Sequence, residues 1–339
     1  MVFEKHGGPD VLRYSDVPDP VVNANEVLVR VKACALNHLD LWVRRGLPGV
    51  KIPLPHIPGS DVAGDVVEVG SGVTTVRPGQ KVVLAPGVTC GKCPACISGQ
   101  DNRCRNFTNL GYGIDGGCAE FVKVPEVNCL PYPENLSFTE AASIPLVFQT
   151  AWHMLLVRAE LQPGEDVLVL GAGSGVGIAA IQIAKFFGAR VIATAGTPEK
   201  MAKATELGAD YVVNHRTQKI RDEVRRITNK RGVDVVFEHV GTATWDESLA
   251  SLAYAGRLVT CGATTGYDAK LDLRVLFAKQ LSLMGSYMGT KSDLYSVMRL
   301  VATGRFRPIV DRVFPLQEAA AAHEYLESGA QFGKVVLSV

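Results

Sequence analysis

The sequence predicts an α/β protein of two domains, a β-rich domain and a domain built on a doubly wound parallel sheet. Its 339 residues exceed what one hydrophobic core usually organises, and a hydrophobic content of 47% is typical of folded chains. Short strands separated by Gly and Pro turns fill the first half. Strands and helices alternate from Asp166 onward, which is the pattern of an α/β domain.

The first half contains several strand patterns in succession. Glu26 to Cys34, EVLVRVKAC, alternates apolar and polar residues as a half-buried strand does. The segments DVAGDVVEVGSGV and GQKVVLAPG follow, and each ends in a turn that contains glycine. Short strands in a row predict an antiparallel, barrel-like domain. The final segment, FGKVVLSV, is a further strand pattern, which we expect to rejoin this domain.

Six strand patterns follow Asp166, and helical patterns lie between most of them. Strands are predicted in DVLVLG, ARVIATA, DYVVN, VDVVFEHV, GRLVTCG and LSLMGS. Helices are predicted over Ile178 to Phe187, Pro198 to Leu207, Ile220 to Thr228 and Thr244 to Ala253. Continuous Val, Ile and Leu runs indicate strands that are buried on both faces, hence a parallel sheet of the Rossmann type.

Charge and composition argue against several classes of protein. The net charge is +1 and no basic stripe is visible, so nucleic-acid binding is not expected. Val167 to Ala184 is uncharged, but its four glycines favour a buried strand, turn and helix over a membrane span. Eight cysteines are few for a disulfide scaffold, and the N-terminus lacks an apolar signal core. We therefore expect a cytoplasmic protein without a membrane partner.

A glycine-rich turn joins the first strand of the second half to its helix. In DVLVLGAGSGVGIAAIQIA, small residues allow the backbone to approach a pyrophosphate, whose charge the helix N-terminus would face. The strict G-x-G-x-x-G frame is not met, because the frame that ends at Gly177 begins with Ala172 and Ser174. The strand–turn–helix context nevertheless predicts a dinucleotide site. Its residues are Gly171, Gly173, Ser174, Gly175, Val176 and Gly177.

The end of the next strand indicates which dinucleotide binds. An acidic residue there would bind the 2′-hydroxyl of NAD, but Val191 to Pro198 contains no acid. Thr194, Gly196 and Thr197 can hydrogen-bond a phosphate, and Lys200 can pair with it. We therefore expect NADP(H) in preference to NAD(H). The alternative for Lys200 is a solvated charge at the start of a helix.

Four cysteines lie within fifteen residues, in the segment CGKCPACISGQDNRC. Their spacing, C-x2-C-x2-C-x7-C, is typical of a metal site. Four thiolates complete a tetrahedral shell and leave no position for a substrate. We therefore expect Cys90, Cys93, Cys96 and Cys104 to hold a metal that braces a loop.

The β-rich half, the cysteine lobe and the Rossmann half, in this order, resemble the medium-chain dehydrogenase/reductase superfamily. This superfamily includes zinc alcohol dehydrogenases and quinone oxidoreductases, and the resemblance spans essentially the whole chain. It implies a GroES-like catalytic domain over residues 1–149 and 289–339, with one structural zinc in a lobe at residues 90–104. It also implies a Rossmann NADP(H)-binding domain over residues 150–288.

Zinc alcohol dehydrogenases hold a catalytic zinc on Cys, His and Cys, and those positions carry other residues here. The resemblance places them at Asn37 in ALNHLD, Ser60 in GSDVAG and Leu146 in LVFQTAW. These side chains cannot form a thiolate and imidazole site. The proton-relay positions of that family correspond to Leu39 and Trp42, so the relay is missing as well. We therefore expect no catalytic zinc.

The spacing of Asn37 and Asp40 instead resembles zinc-free quinone oxidoreductases and double-bond reductases, although these usually lack a cysteine lobe. In that branch a hydride passes from NADPH to an enone or quinone, which needs no metal. The resemblance implies catalytic roles for Asn37, Asp40 and Thr150, with Asn37 next to the reacting carbonyl. Tyr112 and Tyr287 are weaker candidates for proton donation.

Further cofactor contacts are implied by family position. The resemblance places His38 near the pyrophosphate. It places a second group of residues around the nicotinamide and its ribose: His239, Val240, Gly262, Met284, Gly285 and Ser286.

The sequence thus predicts an NADPH-dependent oxidoreductase that transfers a hydride to an activated C=C bond or quinone of a small-molecule substrate. An alcohol dehydrogenase or aldehyde reductase of the same superfamily is the first alternative. A non-catalytic binding protein on this fold is the second. The resemblance also implies a homodimer, possibly a tetramer, that pairs through the strand in LSLMGS.

Overall fold

The computed structural model describes residues 1–339, which divide into two compact units. Unit 1 comprises Met1–Leu146 and Thr290–Val339, and unit 2 comprises Val147–Gly289. The two segments of unit 1 are joined by strand pairing, because the last strand of the chain lies next to the first long one.

Unit 1 is built on a seven-stranded sheet and a small two-stranded sheet. The strands are β1 Glu26–Ala35, β2 Asp61–Val69, β3 Lys81–Leu84, β4 Gly87–Val88, β5 Thr108–Asn109, β6 Phe121–Pro125, β7 Cys129–Pro131, β14 Val310–Pro315 and β15 Lys334–Ser338. The large sheet has the order β14-β15-β1-β2-β3-β7, with β6 also paired to β1. All of its pairs are antiparallel except β14 with β15. The β-rich first domain and the return of FGKVVLSV are thereby confirmed.

Short helices connect the strands of unit 1. They are α1 His38–Arg45, α2 Pro94–Ile97, α3 Phe138–Ala142, α10 Lys291–Ala302 and α11 Ala319–Glu327. Helix α4, Pro145–Trp152, leads the chain from unit 1 into unit 2. Single 3-10 turns lie at Pro9–Val11, Asp101–Arg103, Glu126–Asn128 and Leu316–Glu318. The core lies between the sheet and these helices and contains Phe3, Val29, Leu36, Leu84 and Leu337, all nearly inaccessible.

Unit 2 contains the predicted parallel sheet. Its strands are β8 Asp166–Val169, β9 Arg190–Ala195, β10 Tyr211–Asn214, β11 Val233–Glu238, β12 Leu252–Thr260 and β13 Ser282–Gly285. Their order is β10-β9-β8-β11-β12-β13, and every pair is parallel. Counted from β8, this is the 3-2-1-4-5-6 order of the dinucleotide-binding fold. The six predicted strands are therefore confirmed.

The four predicted helices of unit 2 are present in the predicted order, and their ends differ from the predicted ones by at most three residues. The helices of unit 2 are α5 Gly175–Phe186, α6 Pro198–Glu206, α7 Ile220–Ile227, α8 Trp245–Ser251 and α9 Leu273–Ala278, together with a π-helix at His153–Arg158. Helix α8 ends at Ser251 rather than Ala253, because β12 begins at Leu252. Helix α9 was not predicted.

The uncharged run from Val167 to Ala184 folds as β8, the glycine turn and most of α5. Its apolar residues are buried on both sides of the strand. None of the helices combines the length and hydropathy that crossing a membrane requires.

Arg44 is the largest fully buried side chain and joins α1 to α11 and to the N-terminal segment. Its guanidinium donates to Gly7 O at 3.2 Å, lies 3.0 Å from His323 Nδ1 and pairs with Glu327. Burial, reinforced by the Arg44 charge, lowers the pKa of His323 to about 3. His323 is therefore a neutral hydrogen-bond acceptor for Arg44 at ordinary pH.

Removing Arg44 is expected to destabilise unit 1. Arg44→Ala leaves the groups that faced the guanidinium without a donor in a buried site, so the free energy of unfolding should fall by about 3 kcal/mol or more. Arg45→Ala is a matched control, because Arg45 pairs with the same Glu327 but is 53% exposed, and such pairs contribute about 1 kcal/mol at most. Denaturant unfolding measures both variants. Equal losses would contradict the assigned role of Arg44.

Candidate functional site

The four clustered cysteines of unit 1 have the geometry of a tetrahedral metal site. Their Sγ atoms all lie within 4.8 Å of one another. Cys93 and Cys96 are 3.5 Å apart, as are Cys90 and Cys104, and Cys90 and Cys96 are 3.9 Å apart. Zinc–sulfur bonds of about 2.3 Å place the corners of a tetrahedron about 3.8 Å apart, so the cluster fits zinc.

The loop around the cluster favours the thiolate form of Cys90 and Cys93, whereas burial raises the pKa of Cys96 to about 11. Backbone N–H groups of Lys92 and Cys93 lower the pKa of Cys90 to about 6. Cys93 is the N-cap residue of the one-turn helix α2, which carries Cys96 at its third position. Few apolar side chains are buried in this segment, so four metal bonds would supply the cohesion that a hydrophobic core supplies elsewhere.

The glycine turn of unit 2 lies between β8 and α5, as predicted. Gly171 has φ of +59°, and a Cβ on Gly177 would lie 2.4 Å from Gly171 O, so only glycine fits both positions. Ser174 is the N-cap of α5 and accepts the Gly177 N–H at 2.9 Å. The open N–H groups of this helix start can bind a pyrophosphate.

Thr194 has a structural contact with the glycine turn. Its hydroxyl oxygen accepts the Gly171 N–H at 3.0 Å, and the side chain is almost fully buried. Thr194 thus holds the glycine turn against β9, and its predicted contact with a cofactor phosphate stays a prediction. Thr197 is the N-cap of α6 and accepts the Lys200 N–H at 3.3 Å.

A cluster of basic side chains lies at the carboxyl end of β9. A Cβ placed on Gly196 would lie 3.0 Å from Arg216 Nε and 3.1 Å from His215 Nε2. Burial lowers the pKa of His215, and the charges of Arg216 and Lys200 lower it further. The three basic groups therefore share one electrostatic environment. Sequence reasoning found Lys200 but missed His215 and Arg216, because they follow β10, the strand that pairs with β9.

A buried carboxylate organises the loop after β11. Glu238 is inaccessible, and its Oε1 accepts the N–H groups of Val240 at 2.6 Å and Gly241 at 3.1 Å. Hydroxyls of Thr244 and Ser248 donate to the same carboxylate. Glu238 therefore fixes the backbone that carries His239 and Val240, a role that its position at the end of an apolar strand did not reveal.

His239 lies against the glycine turn. Its Nε2 is 2.9 Å from Leu170 O and 3.2 Å from Ser174 Oγ, and burial lowers its pKa. Gly262 is placed next to it, since a Cβ there would lie 2.9 Å from His239 O. The carboxyl ends of β8, β11 and β12 thus bring these predicted cofactor residues together.

Two buried hydroxyls of unit 2 have no partner within the protein. These are Thr150 Oγ1 and Ser286 Oγ. Ser286 follows Met284 and Gly285 at the end of β13, and its N–H donates to Thr260 O at 2.8 Å. Buried polar atoms are normally hydrogen-bonded, so unpaired hydroxyls at predicted nicotinamide contacts fit a polar ligand such as a carboxamide.

In unit 1, a polar network lies at the positions that resemble a catalytic zinc site. Lys334 Nζ lies 2.6 Å from Asn37 Oδ1 and 3.0 Å from Asp61 Oδ2. Asn37 Nδ2 donates to the same Asp61 oxygen at 2.9 Å. The other oxygen, Asp61 Oδ1, accepts the Leu146 N–H at 2.8 Å, from the first turn of α4.

The sheet register explains why these residues meet. Ala35 of β1 pairs with Asp61 of β2 on one side and with Val336 of β15 on the other. Lys334 begins β15 and Asn37 lies two residues beyond the end of β1, so both polar side chains reach Asp61. Sequence reasoning missed Lys334, although a charged residue that starts an apolar strand was a usable signal.

The residues at the positions of the family's zinc ligands do not fit a catalytic zinc ion. Ser60 is fully buried and its hydroxyl donates to Leu110 O at 2.7 Å, while Leu146 contributes only a backbone N–H. The Asp61 carboxylate is already paired with the Lys334 ammonium. A zinc ion would be a second cation next to the Lys334 ammonium, and it would find neither a thiolate nor an imidazole ligand among these residues.

Asp40 and His38 lie beside this network in α1. Asp40 is fully buried, and its carboxylate accepts N–H groups from Asn37 at 2.7 Å and Gly59 at 3.0 Å. Burial raises the pKa of Asp40 to about 6, although these donors and Lys334 oppose the rise. Asp40 therefore positions the backbone of Asn37 and Gly59, and its predicted catalytic role stays a prediction. The His38 ring lies 6.4 Å from that of Trp42.

Comparison with known proteins identifies the family. Residues 23–134 match the family "Alcohol dehydrogenase GroES-like domain", and residues 175–303 match "Zinc-binding dehydrogenase". The chain belongs to the medium-chain dehydrogenase/reductase superfamily. The resemblance that rested on the order of strands, cysteine lobe and glycine turn is confirmed, and this superfamily member is an oxidoreductase.

Relatives of this dehydrogenase/reductase are similar along its whole length. It is 35% identical to an NAD-dependent alcohol dehydrogenase of Sulfolobus acidocaldarius, over 100% of this chain and 99% of that protein. It is 32% identical to the quinone oxidoreductase of Rattus norvegicus, over 99% and 96%. A crystal structure of an NAD-dependent alcohol dehydrogenase has a TM-score of 0.97 at 48% identity, covering 100% of this chain and 98% of that one.

Loss of a cluster cysteine should remove the metal from this dehydrogenase/reductase. Cys93→Ser replaces one of four thiolates, so zinc per chain should fall well below one, and the melting temperature should fall with it. Cys129→Ser is the control, because Cys129 is a buried cysteine outside the cluster. Elemental analysis and thermal unfolding measure both effects. Full zinc content in Cys93→Ser would contradict the assigned site.

Proposed function

We propose that the protein is an NADPH-dependent reductase that transfers a hydride to an activated C=C bond or quinone without a catalytic zinc. The observation that carries this proposal is the Lys334–Asp61–Asn37 network at the position where zinc alcohol dehydrogenases bind their catalytic metal. Alcohol oxidation near neutral pH needs a Lewis acid that forms the alkoxide. An enone or quinone is already electrophilic and needs only a placed hydride donor and a hydrogen bond.

Unit 2 supports the cofactor part of the proposal. The bound dinucleotide would supply the hydride, and this chain would hold it at the glycine turn and at the Thr150 and Ser286 hydroxyls. Arg216, His215 and Lys200 would bind the 2′-phosphate of NADP(H), and β9 ends without a carboxylate that would repel it. Four cysteines that would bind a metal and four cysteines outside the cluster suit a reducing compartment such as the cytoplasm.

Two alternative functions are compared with this proposal. The names of two similar proteins, both NAD-dependent alcohol dehydrogenases, favour alcohol oxidation or aldehyde reduction with NAD(H). A non-catalytic binding protein is the second alternative, but the intact glycine turn argues against it. A rise in melting temperature on addition of NADPH or NADH would argue further against a binding protein. No rise with either cofactor would favour a binding protein.

A substrate and metal comparison separates these functions. The wild-type protein is assayed with enones, quinones, aldehydes and alcohols, each with both nicotinamide cofactors, and its zinc content is measured. We expect reduction of enones or quinones and one zinc per chain, held by the four cysteines. Two zinc ions per chain together with alcohol oxidation would overturn the proposal.

Arg216 should determine the preference for NADPH. Arg216→Ala removes a charged hydrogen bond to the 2′-phosphate, which is worth about 1.5–3 kcal/mol, so the Kd for NADPH should rise about 10- to 100-fold. The Kd for NADH should not change, because NADH lacks that phosphate. Arg221→Ala is the control, because Arg221 pairs with Asp222 and Glu247 instead. Tighter binding of NADH than of NADPH to the wild type would contradict the cofactor preference.

The edge of the parallel sheet is the proposed interface of a homodimer. Strand β13 ends the sheet order, and nearby Leu273 and Phe277 of α9 are 64% and 70% exposed. An open edge strand with apolar neighbours is suited to pairing with a second copy. Phe277→Glu should shift the molecular mass in light scattering toward the monomer. Val21→Glu, at a residue 80% exposed in unit 1, should leave it unchanged.

A further inference from the structure

We infer that the Lys334 ammonium, and not the Asn37 carboxamide, is the catalytic hydrogen-bond donor to the substrate carbonyl oxygen. The inference rests on the proposed reduction of an enone or quinone and names the group that stabilises the negative charge formed in that reaction. Its starting point is a count of donors and acceptors in the buried network of unit 1.

Asn37 has no hydrogen left to offer a substrate. A carboxamide carries two N–H hydrogens. Asn37 Nδ2 donates to Asp61 Oδ2 at 2.9 Å and, more weakly, to Ala35 O at 3.4 Å. Its oxygen accepts from Lys334 at 2.6 Å, which fixes the orientation of the carboxamide and prevents it from flipping. Asn37 is therefore a positioning residue for Lys334.

Lys334 is the member of the network with a donor to spare. An ammonium group carries three N–H hydrogens, and the protein accepts two of them, at Asn37 Oδ1 and Asp61 Oδ2. Asp61 in turn accepts three hydrogen bonds, from Lys334, Asn37 and the Leu146 N–H. The two printed acceptors of Lys334 leave its third ammonium hydrogen as the one strong donor of this network that no protein group accepts.

Solvent exposure and positive charge also favour Lys334 as the donor. The Asp61 side chain is 0% exposed, whereas that of Lys334 is 5% exposed, so within the ion pair only the lysine keeps accessible surface. The pair is held by three backbone segments: the β1–α1 junction, the start of β2 and the start of β15. A donor fixed in this way needs no reorganisation when negative charge forms next to it.

The proposed step conserves atoms and electrons. A hydride with its electron pair adds to the β-carbon of the enone, and the C=C π electrons move to the carbonyl oxygen to give an enolate. Lys334 N–H donates a hydrogen bond to that oxygen and keeps its proton. Water then protonates the α-carbon and leaves as hydroxide into the solvent, so the substrate gains one hydride and one proton. A bound nicotinamide cofactor would supply the hydride and its two electrons.

The test uses a variant that removes the ammonium without leaving a buried carboxylate unpaired. In Lys334→Met/Asp61→Asn, the carboxamide at position 61 can still accept the Leu146 N–H, and neither a buried carboxylate nor a buried ammonium is left without its counter-charge. Lys334→Arg keeps the charge. Lys81→Met, at an exposed lysine of β3 in the same sheet, controls for the loss of a positive charge.

The expected result is a fall in kcat for enone reduction of about 100-fold in the double variant, which is the usual effect of removing one oxyanion donor. Lys334→Arg should retain more activity, and Lys81→Met should match the wild type. Binding of NADPH alone, followed by its fluorescence, should not change in any variant. The infrared C=O stretch of an isotope-labelled enone bound with NADP⁺ should be lower in the wild type than in the double variant.

Three outcomes would overturn the inference. An unchanged kcat in a folded double variant would overturn the donor role, and so would a lower kcat with an unchanged C=O frequency, since a merely structural residue would give that result. Wild-type protein that reduces neither enones nor quinones would overturn the proposed function and, with it, this role. Wild-type activity that survives in the double variant would overturn only the role of Lys334.

Discussion

Strand β1 forms more pairings than any other strand, and they determine where the polar groups of unit 1 meet. It pairs with β2 along its length, with β6 at its first half and with β15 at its last residues. Because each pairing fixes a register, the residues next to the end of β1 have no freedom to separate. Asn37, Asp61 and Lys334 therefore form one network although they come from distant parts of the chain.

Because the network is buried, each of its charged groups needs a partner within the protein. A lysine whose side chain is 5% exposed needs a counter-charge, and Asp61 supplies it. The carboxylate needs donors, which come from Lys334, from Asn37 and from the first turn of α4. The same rule operates around Arg44 in unit 1 and around Glu238 in unit 2, where a buried charge orders a loop or joins two helices.

The two metal-related regions of unit 1 have different chemistry. The cysteine cluster has four soft ligands at distances that suit a closed tetrahedral shell, which fits a structural zinc. Asn37, Ser60 and Leu146 offer no thiolate or imidazole, and the ion pair of Lys334 and Asp61 lies next to Asn37 and the Leu146 N–H. Membership of a family named for zinc binding is therefore compatible with a site whose cation is an ammonium.

The sequence by itself determined the features whose residues are close together in the chain. The strand and helix order follows from local periodicity, the glycine turn from seven residues, and the metal site from four cysteines within fifteen residues. Tertiary structure decided the rest. Lys334 lies 297 residues from Asn37, and Arg216 reaches Gly196 only because β10 pairs with β9. Such contacts depend on strand order and register, which local patterns do not encode.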